Sequence, residues 1–116
     1  MQSERYIVTL FGVDEKYYTN DYIAYLWEAS ANREYNRSNI FVTGLVDVRR
    51  LICGKIRGCT LGETAHVIST VRNPAEVEDE RAFYESFRNI VGEVKQNLNN
   101  PSMTVTIQKT DYYYFV

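Results

Sequence analysis

Residues 63–100, "ETAHVISTVRNPAEVEDERAFYESFRNIVGEVKQNLNN", contain a change of period that constrains the whole chain. Thr64, His66, Ile68 and Thr70 alternate with Ala65, Val67, Ser69 and Val71, the period-two pattern of a strand. At Asn73 the pattern switches. Asn73-Pro74-Ala75-Glu76 offers a capping residue, a first-turn proline and a glutamate three places past the cap, so a helix is predicted to start there. Val77, Tyr84, Phe87, Val91, Val94 and Leu98 then recur at helical spacing, and "NNP" ends the run. Such a helix has about 25 residues and is ~37 Å long at the standard rise. Glu76, Glu78, Asp79 and Glu80 lie in its first turns, where negative charge offsets the helix dipole. That placement explains them better than a metal or an acidic interaction face.

On the N-terminal side, "RYIVTLFGV" (5–13) reads as a buried first strand, and "DEKYYTND" as a polar connection. Thr19 or Asn20 is expected to cap a helix running to about Asn32, with Tyr22, Ile23, Leu26 and Trp27 on one face. The Asn, Ser and Arg content of "ANREYNRSN" (31–39) predicts a loop. "IFVTGLVDV" (40–48) follows as a strand with Ile40, Val42, Val46 and Val48 on one side. Residues 44–57 also fit a helix, through Leu45, Val48, Ile52 and Ile56, but recurring Gly and β-branched residues favour a long strand. Past the second helix, Met103, Val105 and Ile107 alternate with Thr104, Thr106 and Gln108 as a last strand, extended by "DYYYFV". The order β-α-β-β-α-β is the ferredoxin-like α+β arrangement, an antiparallel sheet with two helices on one face, expected to form a single domain over residues 1–116.

Composition narrows the function classes. Hydrophobic residues make up 45% and charged residues 24% of 116 positions, which suits one soluble globular domain. No apolar run approaches ~18 residues, and "MQSERYIV" lacks the basic and apolar regions of a secretion signal. Two cysteines give no disulfide framework, so a cytoplasmic or host-cytoplasmic setting is expected. The net charge of −2 argues against general nucleic-acid binding. The basic side chains nevertheless cluster at residues 33–58, between acidic flanks.

That cluster runs into "CGKIRGCTLGET" (53–64), the strongest site candidate. Gly54 and Gly58 free the backbone, Lys55 and Arg57 supply charge, and Thr60 and Thr64 supply hydroxyls for an anion such as a phosphate. On an extended strand Lys55 and Arg57 share a face, with Arg49 on the same side. The P-loop order GxxxxGK[ST] is absent, and a hairpin tip explains the same glycines. Cys53 and Cys59 have neither CxxC spacing nor a fourth ligand to join them and His66 on zinc, and they read as two semi-buried structural thiols. His66 is the only histidine and is expected on a solvent-side strand face. No serine-nucleophile motif and no telling carboxylate spacing stands out, so no catalytic residue, metal or cofactor is assigned.

Ten tyrosines are a high count for this length. The RNA-recognition signature of basic-Gly-aromatic residues is missing from "ETAHVIST". Tyr112, Tyr113, Tyr114 and Phe115 therefore point to a protein interface or a sheet extension. The sequence favours a non-enzymatic binding or assembly module that self-associates through a sheet edge and this tail. The alternative is an anion- or nucleotide-binding sensor or scavenger built on residues 54–64, in the manner of a phage or viral accessory protein. An enzyme ranks third.

Overall fold

A computed structural model describes residues 1–14 and 18–116; the middle of the expected polar connection, residues 15–17, lies outside the described residues. The elements run β1 (Gln2–Phe11), α1 (Asn20–Ser38), β2 (Leu45–Arg50), β3 (Thr64–Val71), α2 (Glu80–Asn97) and β4 (Met103–Asp111). The strands form one antiparallel sheet in the order β2-β3-β1-β4. This is the expected ferredoxin-like β-α-β-β-α-β arrangement.

Register explains the core. Tyr6, Val8 and Leu10 on β1 are each 1% exposed and pair with Thr70, Ile68 and His66 on β3. Val46 and Val48 on β2 continue the same face. Against it pack Ile23 and Trp27 from α1 and Phe83, Phe87, Ile90 and Val94 from α2. The Tyr6 ring lies 4.6 Å from that of Phe87 and 5.7 Å from that of Phe83. Burial, then the neighbouring Glu4 and Glu80 carboxylates, push the Tyr6 phenol up to about 12. His66 sits in this row at 1% exposure, so the expected solvent-side histidine is a core residue. The alternation had grouped it with Ile68 and Thr70, and only the side that the helices cover was misassigned.

Three boundaries differ from expectation, each for a local reason. Thr19 does cap α1, its hydroxyl accepting from the Tyr22 N–H at 3.1 Å, but the helix continues to Ser38 through the predicted loop. Its polar residues meet a polar row on α2. Buried Glu34 accepts from Ser86 at 2.8 Å and from Asn89 at 3.3 Å and pairs with Arg37, while Arg33 bonds Glu93 at 2.7 Å. Burial raises the Glu34 carboxyl, yet the Ser86, Arg37 and Ser38 hydrogen bonds outweigh it and hold the group below its ordinary 4.5.

Strand β2 is shorter than predicted and begins only at Leu45. Residues 40–44 pass beneath Trp27, whose indole N–H donates to the Val42 carbonyl at 3.0 Å. A Cβ on Gly44 would approach that ring to 2.8 Å, so Gly44 permits close packing and starts no helix. The ambiguous stretch after β2 is neither a longer strand nor an α-helix but a single 3-10 turn, Lys55–Arg57.

The second helix begins at Glu80, capped by Asp79, not at Asn73. Asp79 accepts from the Arg81 and Ala82 N–H groups at 3.0 and 3.1 Å. Asn73 caps a separate turn, accepting from Ala75 at 3.0 Å. Arg72 separates the two, because its guanidinium takes the Val77 and Glu78 carbonyls at 3.0 and 3.3 Å, which a continuous helix would use internally.

Candidate functional site

Arg72 also organises the ground on which the larger cleft is built. It is 6% exposed and forms a two-pronged ion pair with Glu4, at 2.6 and 3.0 Å. Ser3 donates to the Arg72 carbonyl, and the Arg72 N–H reaches the Glu4 carbonyl at 3.1 Å. The Glu4 hydrogen bond raises the Arg72 pKa further against the opposing effect of burial. A paired buried charge of this kind fixes geometry, since neither partner can leave without stranding the other. It ties the start of β1, the end of β3 and the 73–78 turn into one rigid corner.

Beside that corner opens a cleft of about 670 Å³. Its aromatic lining is Phe41, Phe83, Tyr112 and Tyr114. Arg5 contributes a cation, and Asp47 and Glu76 contribute carboxylates. The tail reaches the cleft because it is anchored at its root: the Tyr112 N–H donates to the Met1 carbonyl at 2.7 Å, and the N-terminal ammonium donates to the Tyr112 carbonyl at 3.1 Å. Arg5 pairs in register with Val71 on β3 and Gln108 on β4, one residue out of phase with buried Tyr6, so it stands on the sheet face away from the helices. The lining thus combines flat rings with the Arg5 guanidinium, the Glu76 carboxylate and an Asp47 carboxylate that Arg49 already pairs with at 3.2 Å.

The expected anion residues are at the other end of β3 and are partly dispersed. Gly54 and Lys55 line a smaller cleft of about 300 Å³, with Arg50, Cys53, Cys59 and Glu63. Lys55 and Arg57 lie on the 3-10 turn, not on an extended strand, and do not present one shared face. Lys55 pairs with Glu63 at 3.5 Å, and Arg57 Nε donates to the Cys53 carbonyl at 2.7 Å. Arg49 pairs with Asp47 at 3.2 Å on the open sheet face. Gly58 ends the turn with φ of 71°, Thr60 is exposed, and Thr64 opens β3. The two cysteines are not free thiols, as expected, but form a Cys53–Cys59 disulfide with Cα atoms 5.9 Å apart. Residues 54–58 turn the chain back on itself, bringing together sulfurs that spacing alone did not pair.

Of the four aromatic tail residues, Tyr112 and Tyr114 line the large cleft, and Tyr113, Tyr114 and Phe115 are exposed at 69%, 72% and 88%. Arg5, Phe41 and Asp47 were not singled out by sequence, and Glu76 was assigned only to the first turn of a helix. The signal available was the tyrosine-rich tail, read as an interface because its anchoring to Met1 is a long-range contact. Among the described residues, no group of three metal-ligating side chains converges, and no helix is long and apolar enough to cross a membrane.

Comparison with solved structures first defines the class of fold. The chain is similar to the de novo designed protein Foldit4, with TM-score 0.55, 17% identity and coverage of 97% of this chain and 100% of that one. A designed protein with a ferredoxin fold, LFR1 1, gives TM-score 0.55 at 9% identity, covering 100% of this chain and 92% of that one. A phage SAM lyase in the apo state gives TM-score 0.57 at 18% identity, covering 93% and 79%. Another phage SAM lyase structure, in complex with S-methyl-5'-thioadenosine, gives 0.55 at 11% identity, covering 91% and 80%. At these identities the structures share the fold alone. No curated protein matches the chain. The family model for SAM lyase matches residues 1–116, and the chain belongs to that family.

Membership in a lyase family overturns the expectation of a non-enzymatic assembly module and gives no support to the anion- or nucleotide-binding sensor. The ranking of an enzyme last rested on the lack of a nucleophile, acid–base or metal motif. The family match shows that the absence of such a motif does not exclude an enzyme.

Proposed function

We propose that this protein cleaves S-adenosylmethionine without water and releases S-methyl-5'-thioadenosine. The observation that carries the reading is the SAM lyase family match over the whole chain. The thioadenosine-bound phage structure supports the identity of the product. S-Methyl-5'-thioadenosine keeps the methyl and adenosyl groups on sulfur, so the bond broken is between sulfur and the γ-carbon of the methionine arm. The sulfonium leaves as a neutral thioether, taking the bonding electron pair. The substrate's own carboxylate can attack the γ-carbon and close a five-membered lactone, so atoms and charge balance with no outside nucleophile.

Such a reaction asks the protein for shape and charge placement. We assign the large cleft to this role. Tyr112, Tyr114 and Phe41 offer faces for adenine. Glu76 favours the cationic sulfonium, with Asp47, which also pairs with Arg49, beside it, and Arg5 receives the methionine carboxylate. The exposed tail end, Phe115 and Val116, adds to this proposal a contact between copies of the chain, which the solution mass of a 1–114 truncation reports. The phage origin of two similar structures supports action in the cytoplasm of an infected host, where S-adenosylmethionine is made.

The test is to incubate the purified protein with S-adenosylmethionine and follow nucleoside products by chromatography. The reading expects S-methyl-5'-thioadenosine with no S-adenosylhomocysteine. A saturating amount of protein that leaves the substrate intact overturns it.

A further inference from the structure

Independently of the lyase reading, the far end of the sheet carries a group with no part in that cleft. The Cys53–Cys59 disulfide closes a small ring in an exposed connection, and both cysteines line the cleft of about 300 Å³. The charges around it are unbalanced. Arg50 and Lys55 line the same cleft, and Arg57 reaches the Cys53 carbonyl, while Glu63 is the one carboxylate lining it. Lys55 pairs with Glu63 at 3.5 Å, but both side chains are solvent-exposed, at 92% and 65%, so an incoming anion can compete with Glu63 for the ammonium.

We propose that Cys53–Cys59 is a redox-modification site that reacts preferentially with anionic low-molecular-weight thiols. The incoming thiolate attacks one sulfur of the bond, forming a mixed disulfide and expelling the other cysteine as a thiolate. A second thiolate then attacks the small-molecule sulfur of that mixed disulfide and expels the remaining cysteine, giving a free small-molecule disulfide and, once both cysteine thiolates take up protons, two protein thiols. Two small thiols are oxidised, one protein disulfide is reduced, and two electrons move. Neighbouring cations assist twice, by concentrating an anionic thiol and by stabilising the departing cysteine thiolate.

The site is also built to close again. The Arg57 and Cys59 N–H groups donate to the Gly54 carbonyl at 3.2 and 3.3 Å, and the Gly58 N–H donates to the Lys55 carbonyl at 3.0 Å. Gly54 and Gly58 hold positive φ angles of 90° and 71°, which L side chains rarely adopt. These bonds survive reduction of the sulfurs and keep the two thiols near each other, as a reversible site requires.

The experiment uses the full chain, oxidised and then exposed to glutathione (net negative), 2-mercaptoethanol (neutral) or cysteamine (positive) at equal thiolate concentration. Iodoacetamide quenching and intact mass count the freed cysteines over time. At low salt the expected rate for glutathione exceeds that for cysteamine by about tenfold, and the gap closes as salt rises. Lys55→Gln and Arg50→Gln should slow glutathione several-fold while leaving 2-mercaptoethanol within about twofold, at unchanged melting temperature. Two carbamidomethyl groups on oxidised protein before any thiol is added would show that the bond is absent. Equal rates for the three thiols would show that the cations select nothing. Either result overturns the proposal.

Discussion

The two ends of strand β3 are held by different chemistry. At its C-terminal end, the Glu4–Arg72 pair and four backbone carbonyls fix a corner by buried polar contacts, and a cleft of about 670 Å³ opens beside it. At its N-terminal end, a disulfide closes a connection whose Ile52 and Ile56 are 88% and 101% exposed. The first end draws on residues from both termini and the centre of the sequence. The second is local, contained within residues 50–63. A non-local corner can hold a ligand-sized wall rigid, whereas a local ring stiffens only itself.

The sharpest way to break this contrast is at the corner. Arg72→Met leaves Glu4 buried without its partner and should cost about 3–5 kcal/mol, read by denaturant unfolding. A loss under 1 kcal/mol would mean that the corner is wetter than its contacts imply. Removing the ring should cost less. Replacing Cys53 and Cys59 together by serine frees a seven-residue loop, for which chain-entropy reasoning gives about 2 kcal/mol. A larger loss than that of Arg72→Met would reverse the ranking of the two ends.

A smaller effect tests where α2 begins. Asp79→Ala should cost about 1 kcal/mol through loss of the cap, and Asn73→Ala, which touches only the preceding turn, less. Equal losses would mean that the helix does start at Asn73. The smallest effect is pH-dependent and distant from both ends. The folded Glu34 carboxyl lies below its ordinary 4.5, so its contribution is present above that value and is lost as pH falls through the lower folded one. Glu34→Gln should flatten the stability profile below about pH 4.5 relative to the wild type. A profile that stays unchanged would mean that the Ser86 and Arg37 contacts do not favour the charged form.

What was legible in the sequence follows the same division between local and distant causes. The period-two run at residues 64–71 and the period-3.6 run through Phe87, Val91 and Val94 are local patterns, and both elements and their order were readable, although Tyr84, read as part of that run, is 37% exposed and its neighbour Phe83 is buried instead. The extension of α1 through residues 33–38 was not, because the polar residues there are explained by Ser86, Asn89 and Glu93 more than fifty positions away. The false start of α2 at Asn73 has the same origin: the capping residues were real, but Arg72 diverts the carbonyls that would have joined that turn to the helix. The glycine-rich loop attracted attention because its chemistry is concentrated in twelve consecutive residues. Arg5, Phe41 and Asp47 did not, and Glu76 was read only as a helix-start residue, because only the fold gathers the four. The enzyme was missed for a further reason: its family membership extends over the whole chain, whereas the search for a catalytic triad or metal motif looked only for short local patterns.

The central claim is that the corner end, not the loop end, serves the lyase reaction. The direct measurement is the rate of S-methyl-5'-thioadenosine formation from S-adenosylmethionine by wild type, Arg5→Ala and Lys55→Ala, compared at matched melting temperature. Loss of one charge-assisted bond is worth roughly 1.5–3 kcal/mol. Arg5→Ala should therefore slow kcat/KM about ten- to a hundredfold, with Lys55→Ala within about twofold of wild type. A Lys55→Ala enzyme that is crippled while Arg5→Ala remains fully active would contradict the account and move the reaction to the other end of the sheet.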